Sequence, residues 1–216
     1  MSAPAAGRRS SESFRTREAI LDAAEALFAE RGLTGAGMRE IAEVSGLTPA
    51  SLYNHFRGKE ALYEAVLARA LTPLLDILRD FASRDQSLPA AEEMVGAIME
   101  HLARTPHVPR LLHHEAASGA ERLQHIAREW IRPLFEQGTA ALRRDPDNPW
   151  DESEHGLVIA AWLHMVFGHF ALAPLLAEVR PGDPLSPEAL RRQTRFFRKL
   201  ARLMMKPDAP PGTGDA

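Results

Sequence analysis

MREIAEVSGLTPASLYNHFRGK, residues 38–59, decides how this chain is read. Counted from Met38, Ala42 falls at the fifth position, Gly46 at the ninth, Leu47 at the tenth and Leu52 at the fifteenth. That is the spacing of two short helices meeting across a tight turn. A small residue at the fifth position lets the two backbones approach. Gly at the ninth takes the positive φ that the turn demands. Ile41, Leu47 and Leu52 face inward and hold the pair together. Gly46 ends the first helix as a C′ residue. Thr48 is placed to cap the second, and Pro49 takes its first helical position, where a missing N–H costs nothing. Leu52 and Phe56, four apart, share the buried face.

The second helix then offers Thr48, Pro49, Ala50, Ser51, Tyr53, Asn54 and His55 on its outer side. Small residues at a helix start let the backbone sink into a major groove roughly 12 Å wide. Tyr53 and His55 suit phosphate oxygens, contacts that set register without reading sequence. Lys59, opening the next helix, adds a cation beside the free N–H groups of a helix N-terminus. Arg39 and Arg57 add further charge around the motif. Taken singly, each of these reads as an ordinary core-rim residue. Their order and spacing together point to a surface that docks on duplex DNA.

The run Thr16 to Leu67, with its core LTPASLYNHFRGKEALY, resembles the N-terminal domain of the TetR/AcrR family of bacterial transcriptional regulators. The likeness implies an all-α chain: an N-terminal three-helix helix-turn-helix domain, then a C-terminal helical domain for ligand binding and dimerisation. Residues 1–13 read as a disordered arm, 14–58 as the DNA-binding domain, 59–206 as the ligand-binding and dimerisation domain, and 207–216 as a disordered tail. Helix one spans Thr16 to Arg31, with Ile20, Ala23, Ala24, Leu27 and Phe28 as its apolar stripe and Gly32 closing it. By resemblance, the helix carrying Thr48 to His55 enters the major groove. Residues like Arg39, Tyr53, His55 and Lys59 then touch the DNA backbone or bases.

Net charge is −3, and residues 1–60 carry eight Arg/Lys against eight Asp/Glu. This is not the basic signature of a nonspecific nucleic-acid binder. Local placement of charge matters more for a docking motif than the total, and each domain alone should bind modestly, so a dimer is needed. At 45% apolar content the chain can bury a sizeable core. Cys is absent, so there is no disulfide framework or thiolate metal site. Together with an N-terminus lacking a signal-type apolar run, this suits a cytoplasmic protein.

Beyond the motif the apolar pattern repeats at three- and four-residue steps, and the expected total is about nine helices. A long helix covers residues 60–83, with a kink or break at Pro73. Others cover 89–103, a stretch through Ala117 flanked by Pro106 and Pro109, 121–142 with Pro133 inside, 153–178 and 186–205. Residues 145–150 (DPDNPW) form a loop by composition. Gly156 to Ala177 is a run of 22 residues without Asp, Glu, Lys or Arg, long enough to raise a membrane span. His164, His169, Gly168 and Pro174 interrupt it, and no membrane role is expected. By resemblance the segments 153–178 and 186–205 of two copies form the homodimer interface. The last of these carries Arg191, Arg192, Arg195, Arg198, Lys199, Arg202 and Lys206 against Glu188 alone, read as a solvated basic face.

No nucleophile elbow, P-loop or dinucleotide fingerprint is present, so no enzyme activity and no cofactor are expected. Nine His invite a metal, but His164 and His169 lie roughly 140° apart around a helix, and His113, His114 and Glu115 are consecutive. No metal site is expected. In the family the C-terminal helices enclose a variable pocket. The candidates here are Met94, Ile98, His101 and Leu102, then Leu111, Leu112 and Glu115, then Trp130 and Leu134, and finally Trp162, Met165, Val166 and His169. Their Met and aromatic content suggests a mostly apolar small-molecule effector. The resulting expectation is a ligand-responsive, sequence-specific regulator, a repressor released from a palindromic double-stranded DNA operator. Competing readings are an activator or a regulator without an inducer, an all-α enzyme using a His-containing pocket, and a membrane-associated helical protein.

Overall fold

The computed structural model describes residues 5–84, 87–118, 121–145 and 148–205. Every regular element among them is helical. In chain order these are α1 (Ala5–Gly35), α2 (Met38–Val44), α3 (Pro49–His55), α4 (Lys59–Ser83), α5 (Leu88–Arg104), α6 (Val108–Ser118) and α7 (Glu121–Ile126). A π-helical turn (Ala127–Ile131) leads into α8 (Arg132–Arg144), followed by α9 (His155–Ala171), α10 (Ala173–Val179) and α11 (Pro187–Met205).

α1 differs from its expected start at Thr16. It begins at Ala5, so residues 5–13, read from sequence as a disordered arm, belong to the helix. Ala5, Ala6, Arg8, Arg9 and Glu12 are good helix formers, and nothing in the segment breaks the continuation. The tail 207–216 lies outside the described residues. Gly32 interrupts α1 at φ 68°, ψ 176°, a conformation that belongs almost to glycine alone. A Cβ there would also meet the His114 ring on α6 at 2.9 Å.

α4 is the shaft of the molecule. It packs against α1 on one side and against α5 and α8 on the other. It continues through Pro73 to Ser83 without a break. Close to the proline, His101 of α5 donates from Nε2 to the Ala70 carbonyl oxygen at 2.7 Å. Phe28 of α1 meets Tyr63 of α4 edge to face, with ring centroids 5.3 Å apart. One turn and a half further along, Arg69 reaches three carboxylates of α1: Glu18 at 3.3 Å, Asp22 at 2.7 Å and Glu25 at 2.6 Å. Glu25 also accepts the backbone N–H of His107, from the link between α5 and α6, at 3.4 Å.

The other differences from the expected helices trace to prolines. Pro133 sits in the first turn of α8, and the backbone widens into the π turn just before it, which gives the ring room. The segment 153–178 breaks at Leu172, ahead of Pro174, so α9 and α10 are bent by 67°. Among the described residues no single helix is long and apolar enough to cross a membrane.

Gly32→Ala should destabilise the chain by about 1–3 kcal/mol, from the strained backbone alone. Urea unfolding followed by circular dichroism checks this; an unchanged midpoint would show that the kink relaxes freely.

Candidate nucleic-acid interface and effector cavity

The turn between α2 and α3 is built by hydrogen bonds that the sequence spacing anticipates. Gly46 has φ 71°. Its N–H donates to the Glu43 carbonyl at 3.0 Å, and the Leu47 N–H donates to that of Ala42 at 2.8 Å. These two bonds form a Schellman motif that closes α2. Ser45 Oγ adds a bond to the Ile41 carbonyl at 2.7 Å. Thr48 then caps α3, its hydroxyl accepting the Ser51 N–H at 3.2 Å. Leu52 is fully buried and anchors the helix.

This framework fixes the outward side of α3. Thr48, Pro49, Ala50, Tyr53 and Asn54 are exposed, as is Arg39 on α2, while Ser51 and His55 are half-buried. Tyr53 shows 52% of its surface to solvent, unusual for a tyrosine in a packed domain. Lys59 has a different surrounding from the one expected. Its ammonium donates to the carbonyls of Thr34 at 3.3 Å and Ala36 at 3.2 Å, tying the start of α4 to the end of α1.

Further along the chain, α4, α5, α8, α9 and α11 enclose an apolar cavity of about 170 Å³. That slightly exceeds the roughly 150 Å³ that holds a benzene in an engineered apolar core. Five of the sequence candidates line it: Met94, Ile98, Leu134, Trp162 and Val166. So do residues that the sequence reading missed, among them Leu74, Leu78 and Phe81 of α4, Phe135, Phe167 and Trp150. The three α4 residues follow the helical period of a buried stripe, which marks a core face and does not distinguish a core from a cavity wall. Trp150 is pinned at the rim by its indole N–H, which donates to the Met204 carbonyl at 2.9 Å.

The remaining candidates lie elsewhere. His101 holds α5 to α4, as described. Leu102 and Leu111 are fully buried core residues, and Glu115 is buried on α6. Leu112, Trp130 and Met165 pack against the core from its edge. His169 faces a second recess of about 390 Å³ between α9, α10 and α11, more polar and flanked by Arg180 and Arg192. Burial lowers the pKa of His101, His107 and His169 below the usual histidine value, so all three are neutral at pH 7. Among the described residues no group of three His, Asp or Glu is placed to hold a metal ion.

A capped, exposed second helix set by a Schellman turn on a three-helix base defines a helix-turn-helix DNA-binding fold. Residues 20–66 match the model of the bacterial regulatory proteins of the tetR family. The chain is 36% identical to the transcriptional repressor BepR of Brucella suis over 98 residues, which are 44% of this chain and 47% of that protein. It is 31% identical to the transcriptional regulator RutR of Escherichia coli over 136 residues, 63% of this chain and 64% of that one. The chain thus spans between about half and two thirds of the length of these curated relatives. The structure of SmeT, the repressor of a Stenotrophomonas maltophilia multidrug efflux pump, superposes with a TM-score of 0.59 at 21% identity, covering 93% of this chain and 96% of SmeT. Its triclosan complex gives 0.63 at 22% identity, covering 94% and 98%. The likeness to the tetR family of bacterial regulatory proteins thus lies in the N-terminal domain, residues 20–66.

Two outcomes are expected. Lys59→Ala should lower stability by about 1 kcal/mol through two lost hydrogen bonds, read from the urea midpoint, and an unshifted midpoint would free the ammonium for other work. Stability should also fall as pH drops below 6.5, because the unfolded state then binds protons that buried His101, His107 and His169 refuse. His101→Gln should flatten that fall in a series of melting curves; an identical slope would exclude His101 as a contributor.

Proposed function

We propose that this chain is a cytoplasmic, homodimeric, sequence-specific regulator of transcription, a repressor that leaves a palindromic operator when a small apolar molecule binds. The observation that carries the reading is the outward face of α3, free of packing and framed by the Schellman turn and the Thr48 cap. BepR and SmeT, both named repressors, support the sign of regulation.

A dimer follows from the modest charge of one domain and from unpacked apolar side chains on the last helices. Leu157, Leu175, Val179 and Phe196 are all more than half exposed. These lie on α9, α10 and α11, the segments that the resemblance assigns to the interface. Two copies related by a two-fold axis would set their α3 helices in successive major grooves, about 34–36 Å apart or a further turn away.

The apolar cavity is favoured as the effector site over the larger polar recess for a mechanical reason. Its wall includes Leu74, Leu78 and Phe81, so a ligand there pushes on α4 itself. α4 holds α1 through Arg69, and its first residue, Lys59, holds the end of α1. The recess is lined by α9, α10, α11 and the link between the last two, and by no residue of α4. A shift of α4 would change the separation of the two α3 helices in the dimer. A coupling free energy of about 1–3 kcal/mol suffices for a working switch.

Selection of bound duplexes from a random pool should return an inverted repeat, and a pool without enrichment would overturn the reading. Tyr53→Phe should weaken binding to all duplexes alike. Ile98→Trp, which fills the cavity, should leave DNA binding intact while abolishing release by apolar compounds. Release that survives this substitution would move the effector site elsewhere.

A further inference from the structure

Arg17, on α1 and outside the helix-turn-helix, lies over the ring of the residue that ends the recognition helix. Its guanidinium carbon lies 5.0 Å from the centroid of the Phe56 ring. Phe56 is itself 5% exposed, and its N–H donates to the Leu52 carbonyl to close α3. The platform is therefore fixed to the end of the helix that the proposed function places in the groove.

Among the described residues, this cation belongs to the arginines that no carboxylate neutralises. The chain holds 29 acids against 26 Lys/Arg, and Arg31, Arg69, Arg143 and Arg202 all pair with carboxylates. Arg17 is exposed and, among the described residues, pairs with none. Arg39 and Arg57, which flank the same motif, are likewise exposed and without a carboxylate partner among those residues. A guanidinium held over a ring by cation–π attraction leaves N–H donors available to an anion. Its rotamer entropy is already spent on the ring, so an anion meeting those donors binds to a pre-set fork.

We propose that Arg17 is a phosphate clamp, gripping the DNA backbone beside the recognition helix from the Phe56 platform. This rests on the DNA-binding reading above. A purely structural role would serve only to buttress α3 and would leave the count of neutralised phosphates unchanged.

The test is equilibrium binding of the full chain to the selected inverted-repeat duplex and to a scrambled duplex of equal length, from 50 to 200 mM salt. Arg17→Ala should weaken both duplexes by a similar factor, leaving their ratio unchanged. Its plot of log K against log salt should be shallower by about 2 for a dimer, so the affinity lost across that range is about tenfold smaller than for the wild type. Arg17→Lys keeps the charge and should restore the slope. Phe56→Leu keeps Arg17 but removes the platform, and should weaken binding at every salt with a slope near that of the wild type. Circular dichroism melts confirm that each variant is folded. An Arg17→Ala slope equal to that of the wild type overturns the clamp, whether affinity is unchanged or merely reduced by a tilted α3. A wild-type chain that binds neither duplex brings down the DNA-binding reading itself, and the clamp with it.

Discussion

The contact between Arg69 and the carboxylates of α1 is the constraint on which the arrangement of this molecule turns. The guanidinium is 18% exposed and Glu25 4% exposed, so neither charge keeps its full hydration. Burial pushes the Glu25 carboxyl above its ordinary range, against the pull of Arg69. Burial opposes the charge on Arg69 too, yet the carboxylates around it keep its pKa raised. A pair of this kind adds little net stability over an apolar substitute, but leaving one member without the other is costly. It therefore fixes position more than it adds strength. With the His107 N–H on the same carboxylate, α1, α4 and the link before α6 are held at one point.

Around that point the molecule makes sense as a lever. α4 carries the apolar cavity on one part of its length and Arg69 and Lys59 on the other. The Phe28–Tyr63 contact lies between them and keeps α1 from rolling on the shaft. The His114 ring against Gly32 adds a second bearing between α1 and α6. The cavity wall and the start of α4 are thus joined along one continuous helix, whose contacts with α1 lie on its N-terminal half.

How much of this the residues announced depends on the distance over which each feature is determined. The helix-turn-helix was legible because its turn is local: Ala42, Gly46, Thr48 and Pro49 each satisfy a need set by residues within one or two turns. The extension of α1 to Ala5 was not read, because polar helix formers without an apolar stripe look like a solvated arm. Lys59 was read from its place at a helix start, while its partners, the carbonyls of Thr34 and Ala36, are settled only by the docking of α1. The cavity was half legible for the same reason. Met94, Ile98 and Trp162 sit on apolar faces that meet it, while Leu102 and Leu111, on equally apolar faces, are buried in the core outside it. Periodicity names the face of a helix and leaves its neighbour unnamed.

The buried apolar residues form one continuous cluster from Ile20 on α1 to Ala201 on α11, with no seam at the start of α4. Leu27 and Phe28 have no other cover than the helices that follow. A continuous core of this kind favours unfolding as one unit, so the N-terminal helices depend on the packing of those that follow. A substitution in the C-terminal helices severe enough to unfold them would therefore take the α3 surface with it, though it touches no residue of that surface.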